Sequence, residues 1–427
     1  MAFGLGGCLS DAEHAAQDGN FVARLRAPDA SVAATPTHAE KINAESIIIQ
    51  NLMARRSVLD ENSAFDRVAT SVLAANARSA ESELRAAQLR ARAASKNWLP
   101  QIGPNVSLTS LGTVVANLVI EQVVYDNGRR KGEREFAVAD VEVAAVTLAA
   151  DTNDRVATAL ALYLSAAEAQ EKHALAERTA KDIGQFAWVM EQRVRGGVSD
   201  PSDLHILRQK LGEITADRAA QSEAAATARA ELGAMSIGDL SGVSGLSAVD
   251  VRPDAAQPLS VTLAEAEKIR AVAAAKVDRA NQLPGISATA QVGENGGAGL
   301  TTTSGTLLGL GTGDRLRAIE AAREAAARRV AQAQEDANRE LRRLDGAIAS
   351  KERQAAEAAK LTAQAKRNLD LFQAQYDGGQ RQVMDVVGVY ETYARQAETE
   401  IALKYDALRL RVEMAERLGL LADGSRI

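Results

Sequence analysis

Between residues 128 and 195 apolar side chains recur in steps of three and four. Val138, Val141, Ala145, Leu148, Thr152, Val156, Leu160 and Leu164 form one such series, the spacing of a helix face with heptad-like seams against its neighbours. Alanine at many remaining positions lets a second helix approach on another face. Neither residues 128–195 nor residues 314–377 contain proline, so each run extends about 95 to 100 Å at ~1.5 Å per residue. Both runs stop at a Gly-Gly pair. The first pair sits in VRGGVSDPSDL at 194–204 and the second in YDGGQRQVMDVVG at 376–388, aligning Gly196 with Gly378, Gly197 with Gly379, Asp203 with Asp385 and Leu204 with Val386. Glycine supplies the positive φ that ends a helix, and Asp200 followed by Pro201 is an N-cap and N1 pair that starts the next. Each motif therefore predicts the turn of an antiparallel helical hairpin.

The pattern changes in two stretches. In residues 99–126 and 283–313, β-branched and small residues alternate and the opening tetrapeptides LPQI and LPGI differ at one position. Strands are expected over 102–111, 114–124, 286–293 and 300–310, with alternate residues such as Leu118 and Val119 facing opposite sides. The order helix, strand hairpin, long helix, Gly-Gly turn, helix then occurs twice. The expected organisation is an N-terminal tether at 1–38, a first repeat at 39–236, a Gly-, Ser-, Asp- and Pro-rich mid-level insertion at 237–258, a second repeat at 259–421 and a tail at 422–427. Within the first repeat the helical pattern begins in two pieces, one around Ile47, Ile48, Leu52 and Met53 and one from 61 to 97. The second piece takes the place of an upper helix that the second repeat lacks.

Composition narrows the function classes. Aromatic residues make up 3% of the 427 residues, which suits long, closely packed helices better than a thick globular core. A formal net charge of -6, with basic and acidic residues interleaved, offers no basic patch for nucleic acid. No window approaches 18 consecutive apolar residues, the length an α-helical membrane span needs. His14, His38, His173 and His205 are scattered and none is spaced for a metal. There is no P-loop, GxSxG or HExxH. Gly309, Gly311 and Gly313 form a GxGxG run that lacks the third spacing and the downstream acid of a dinucleotide fingerprint, and a strand end is the expected reading. No cofactor is expected. The single cysteine, Cys8, closes the run LGGC, which is similar to a bacterial lipobox. That similarity implies lipidation at Cys8, and an inert lone cysteine is the other reading.

Together these residues resemble the TolC-like outer-membrane factors of Gram-negative efflux and type I secretion systems. The resemblance spans about residues 60 to 421 and rests on LPQI and LPGI, on the strand exit Tyr125-Asp126-Asn127-Gly128-Arg129-Arg130, and on the two Gly-Gly turns with Asp203 and Asp385. It implies a mainly helical fold with a small β part: coiled-coil hairpins forming a periplasmic tunnel, and four strands per chain in a 12-stranded β-barrel shared by a homotrimer. It implies an outer-membrane exit duct, not an enzyme, working with a periplasmic adaptor and an inner-membrane pump or ABC transporter. Cys8 would place it in the lipoprotein branch. The resemblance also implies a gate at the periplasmic tip, with Tyr376 and Arg381 bonding to Asp203 and an acidic ring at Asp385. Gly388 stands where the family often has a second acid. The periodicity alone also fits a coiled-coil scaffold without a pore, in which the two alternating stretches are loops. A helical enzyme using the aspartates at the Gly-Gly turns is a third reading.

Overall fold

The computed structural model describes residues 46–75, 79–110, 113–292, 297–303 and 309–426. Cys8, His14 and His38 lie outside them. Among the described residues three short helices come first: α1 (Ile47–Met53), α2 (Ala64–Ala74) and α3 (Ser79–Ala94). Strands β1 (Gln101–Ser110) and β2 (Thr113–Tyr125) lead into the long helix α4 (Arg129–Arg195). After the first Gly-Gly turn come α5 (Pro201–Met235), the mid-level insertion and α6 (Leu259–Asn281). Strands β3 (Gly285–Val292) and β4 (Gly297–Thr303), the second long helix α7 (Thr312–Asp377) and its return α8 (Val383–Arg417) complete the second repeat.

The long helices organise everything else. At 67 and 66 residues each measures about 100 Å at ~1.5 Å per residue. Helix α4 is flanked by α6 and α3 near the sheet and by α5 and α8 toward the tip, while α7 packs on α6 and α8. A short upper helix and a short lower helix thus stand in for one long neighbour on each side. The predicted seam on α4 is buried from Val141 to Leu164, and Ala139, Ala149, Ala159 and Ala166 are buried as well. The two long helices are covered unequally. Helix α4 buries 26 residues and α7 only eight, so most of α7's length is open on one side of the single chain.

At mid-level the first and last described segments splice together. Phe65 is fully buried and meets Tyr163 edge-on, with ring centroids 5.9 Å apart. Burying such an aromatic side chain contributes about 1.5 to 3 kcal/mol. Three polar side chains set the geometry around it. Arg155 of α4 donates to the carbonyls of Val72 (3.2 Å) and Met235 (3.0 Å), satisfying acceptors that helix ends leave open. Asn153 of α4, buried at 2% exposure, accepts the Leu421 N–H at 2.8 Å. Arg55 donates to the Leu418 and Gln257 carbonyls. Helix α8 stops here because Gly419 adopts φ 66°, with its N–H on Glu416 and the Leu420 N–H on Ala415. The expected single helix over 61–97 is in fact two, α2 and α3, because Ala75 leaves the helical region at φ -72°, ψ 76° and Arg155 draws its carbonyl at 3.4 Å.

The four strands form one antiparallel sheet in the order β1-β2-β3-β4. Strand β4 begins at Gly297, earlier than the expected 300–310, because β3 pairs with it from Gln291↔Gly297 to Gly285↔Thr303; the expected positions 304–308 lie outside the described residues. The GxGxG run is not a strand end. Gly311 caps α7 and Gly313 lies in its first turn, with the Gly309 N–H donated to Thr312 Oγ1 at 3.1 Å.

Candidate functional site

Cross-strand register sorts the sheet into two faces. Ile102 pairs with Ile120, which pairs with Ala290, which pairs with Ala298; Pro104, Leu118 and Val292 form the adjoining row on that face. The other face carries Gln101, Glu121 and Thr289 in one row and Asn117, Val119, Gln291, Ser287 and Thr301 around it. One side is therefore aliphatic and the other polar, as alternation in a strand with two different environments requires. Among the described residues the aliphatic side has no partner: Ile102 is 66% exposed, Val292 61% and Leu300 75%. At its base a bulge sets Val124 and Tyr125 against Ile286. All three are exposed, as is Trp98 nearby in sequence. A coiled-coil scaffold would leave these stretches as loops without an apolar side, which is not what they form.

The tip is built by two copies of one device. Gly197 and Gly379 take φ 69° and 73°. In the first turn the Gly197 N–H bonds to the Val194 carbonyl and the Val198 N–H to that of Arg193; in the second, Gly379 bonds to Tyr376 and Gln380 to Gln375. This is the Schellman arrangement, in which a left-handed residue lets the chain turn back and satisfy the last carbonyls of the helix. Gly196 and Gly378 keep ordinary φ values of -82° and -79°. Only the second glycine of each pair is thus demanded by backbone conformation.

The return helices start differently. Asp200 caps α5 by accepting the Ser202 N–H at 2.8 Å, and that bond holds its carboxyl below the usual carboxylate range. Gln382 caps α8, and Asp385 reaches back to accept the Gln382 N–H at 3.2 Å, completing a capping box. Asp203 occupies the matching position in the first turn of α5 and is half-buried. Its carboxylate makes no hydrogen bond or ion pair among the described residues. Arg381 stacks its guanidinium 4.5 Å from the centroid of Phe372 and donates to Gln375 Oε1 at 3.0 Å, so within one chain it does not reach Asp203. Tyr376 turns its ring edge to Phe186 of α4, centroids 5.8 Å apart.

Beneath these residues lies an apolar cluster that includes Ile183, Met190, Leu207, Leu369, Val386 and Val387. The Tyr390 hydroxyl crosses the α4–α8 seam to donate to Asp182 at 2.7 Å. Burial, reinforced by that carboxylate, pushes the phenol well above its ordinary range. Lys210 and Glu391 pair across α5 and α8. The two hairpins are in this way locked to one another just above the turns. Sequence reasoning brought Asp203, Tyr376, Arg381 and Asp385 to one end of the molecule, where the structure also has them. It missed Phe186, Phe372 and Gln382, although Gln382 three residues before Asp385 carries a capping-box spacing.

Among the described residues no three His, Cys, Asp or Glu side chains are grouped to hold a metal, and no helix is long and apolar enough to cross a membrane. No protein-family model and no curated protein sequence matches the chain. Solved structures do match. A membrane protein from Pseudomonas aeruginosa is similar over 93% of this chain and 96% of its own, with a TM-score of 0.73 at 17% identity. The outer membrane protein VceC from Vibrio cholerae is similar over 89% and 96%, with a TM-score of 0.69 at 14% identity. The outer-membrane channel OprN is similar over 86% and 93%, with a TM-score of 0.71 at 14% identity. From the two-faced sheet to the paired glycine turns, this chain has the fold of the outer-membrane channel proteins.

Proposed function

We propose that the chain is one protomer of a homotrimeric outer-membrane exit duct of a Gram-negative tripartite efflux or type I secretion system. The observation that carries this reading is the sheet: one aliphatic face, one polar face and two edge strands, β1 and β4, the aliphatic face uncovered and the edges unpaired among the described residues. In lipid every backbone group needs a partner, so strands span a membrane only as a closed barrel. Three copies of a four-stranded sheet close as a 12-stranded barrel with its aliphatic face to lipid. Neighbouring protomers would likewise cover the open side of α7, and the long helices would form a tunnel into the periplasm. A periplasmic adaptor and an inner-membrane pump or ABC transporter would supply the energy.

The gate belongs to this proposal. Arg381 rests on Phe372 and Gln375 in its own chain while Asp203 is left open, so Asp203 would take Arg381 or Tyr376 of a neighbouring protomer as donor when the tip is closed. The capping box accounts for Asp385 without a gate. It does not account for Asp203 or Arg381. Asp385 is exposed, and three copies around the axis would form the acidic ring.

Fractionation tests the reading directly. A channel of this kind is extracted from an outer-membrane fraction only with detergent and migrates as a trimer. Recovery as a monomer without detergent would favour the scaffold reading instead.

A further inference from the structure

The polar face of the sheet carries a single charge. Across the sequences of all four strands Glu121 is the sole Asp, Glu, Lys or Arg. Its register partners are Gln101 on β1 and Thr289 on β3, both uncharged, and its carboxylate makes no hydrogen bond or ion pair among the described residues. Next to it, a cleft of about 70 Å³ between the sheet and the first turn of α4 also brings in Asp126 and Arg129. The Asp126 oxygens accept the Gly128 and Arg130 N–H groups, and Arg129 lies 3.8 Å from Glu133. The charged residues that line this cleft, Glu121, Asp126 and Arg129, sum to one negative charge per chain.

We infer that Glu121 makes the barrel lumen select for cationic over anionic solutes, at the end of the barrel nearest the tunnel. The inference rests on the trimeric barrel proposed above. Twelve strands about 4.8 Å apart and tilted by about 40° close at a backbone radius of about 12 Å, which puts three Glu121 carboxylates about 8 Å from the axis. Charges at that range act across the whole lumen while the Debye length is about 10 Å, near 0.1 M salt, and are screened once it falls to about 3 Å, near 1 M. Three net negative charges then favour a monovalent cation over an anion by roughly tenfold at the lower salt and less than about twofold at the higher. The apolar face and the remaining uncharged positions contribute no such preference.

Reversal potentials of the reconstituted protein in a KCl gradient test this. Measurements use the native chain and the same chain with Asp385→Asn, so that a tip carboxylate cannot mask the cleft. Glu121→Gln is expected to bring the cation-to-anion permeability ratio near one at low salt, and Glu121→Lys to invert it, with all variants converging at high salt. Pores whose ratio is unchanged in both Glu121 variants would overturn the inference while leaving the channel reading intact. If the native protein forms no pore at all, the channel reading itself fails.

Discussion

Ile120 is the residue at which a membrane-facing sheet is most sharply tested. It sits on the aliphatic face between Ile102 and Ala290, five residues along β2 from the exposed Tyr125 at the base of the sheet. A strand rising ~3.3 Å per residue and tilted by ~40° climbs about 2.5 Å per residue along the barrel axis. Five residues therefore reach about 13 Å, the middle of an apolar band about 25 Å tall. An Arg facing lipid at that depth costs about 2 to 4 kcal/mol per copy, and the proposed trimer would carry three. Val119, one residue away, shares the polar face with Gly103 and Gln291, where an Arg would face water at little cost. Ile120→Arg should strongly reduce the folded, trimeric fraction in lipid vesicles at an intermediate urea concentration, while Val119→Arg should leave it near the native value. Leu118→Asp, two residues further up the same aliphatic face, should show a smaller loss than Ile120→Arg. Equal effects of Ile120→Arg and Val119→Arg, or a greater loss for Val119→Arg, would refute the assignment of faces.

Three further outcomes follow from particular side chains. The double variant Arg381→Ser with Tyr376→Phe removes the charge-assisted donor and the phenol that the proposed gate would offer to Asp203, and should raise single-channel conductance at neutral pH, while Asp385→Ala should weaken block by divalent cations; unchanged conductance with the trimer intact would reduce these residues to turn chemistry. Gly419→Ala must adopt φ 66° and sets a Cβ 2.9 Å from Leu259 and 2.5 Å from the Arg55 guanidinium, so a loss of about 1 to 3 kcal/mol from backbone strain alone, visible as a lower urea midpoint, is expected, and no shift would contradict the splice geometry. Metabolic labelling with a fatty-acid analogue should mark Cys8 when the chain carries a complete export signal and should vanish in Cys8→Ser; label that persists in Cys8→Ser would place the lipid elsewhere.

The helical part of this fold was legible because its signals are local. The α4 and α7 termini at Arg195 and Asp377 are announced by the glycines that follow them, and the start of α5 by Asp200 and Pro201. The mid-level splice was not legible. Arg55, Asn153 and Arg155 bond to carbonyls and amides 80 or more positions away, and in the sequence each is an ordinary polar residue on a helical pattern. The start of β4 was missed for a related reason: GAGLTTT has little alternation of its own, and its pairing with β3 begins at Gly297. At the tip, the alignment of the two repeats located Asp203 and Asp385 and the family resemblance singled out Tyr376 and Arg381, but neither showed that Arg381 lies on Phe372 within its own chain. That contact depends on rotamers that periodicity does not encode.

An exit duct of the proposed kind requires three copies of this chain to enclose one pore across a membrane. Purified, cross-linked trimers added to a planar lipid bilayer test it most directly. The account predicts discrete conductance steps that scale with the number of trimers inserted, present for the native protein and absent for protein carrying Ile120→Arg, which cannot present an uncharged face to lipid. A trimer that binds the bilayer yet never conducts, even with Arg381→Ser and Tyr376→Phe to relax the tip, would contradict it.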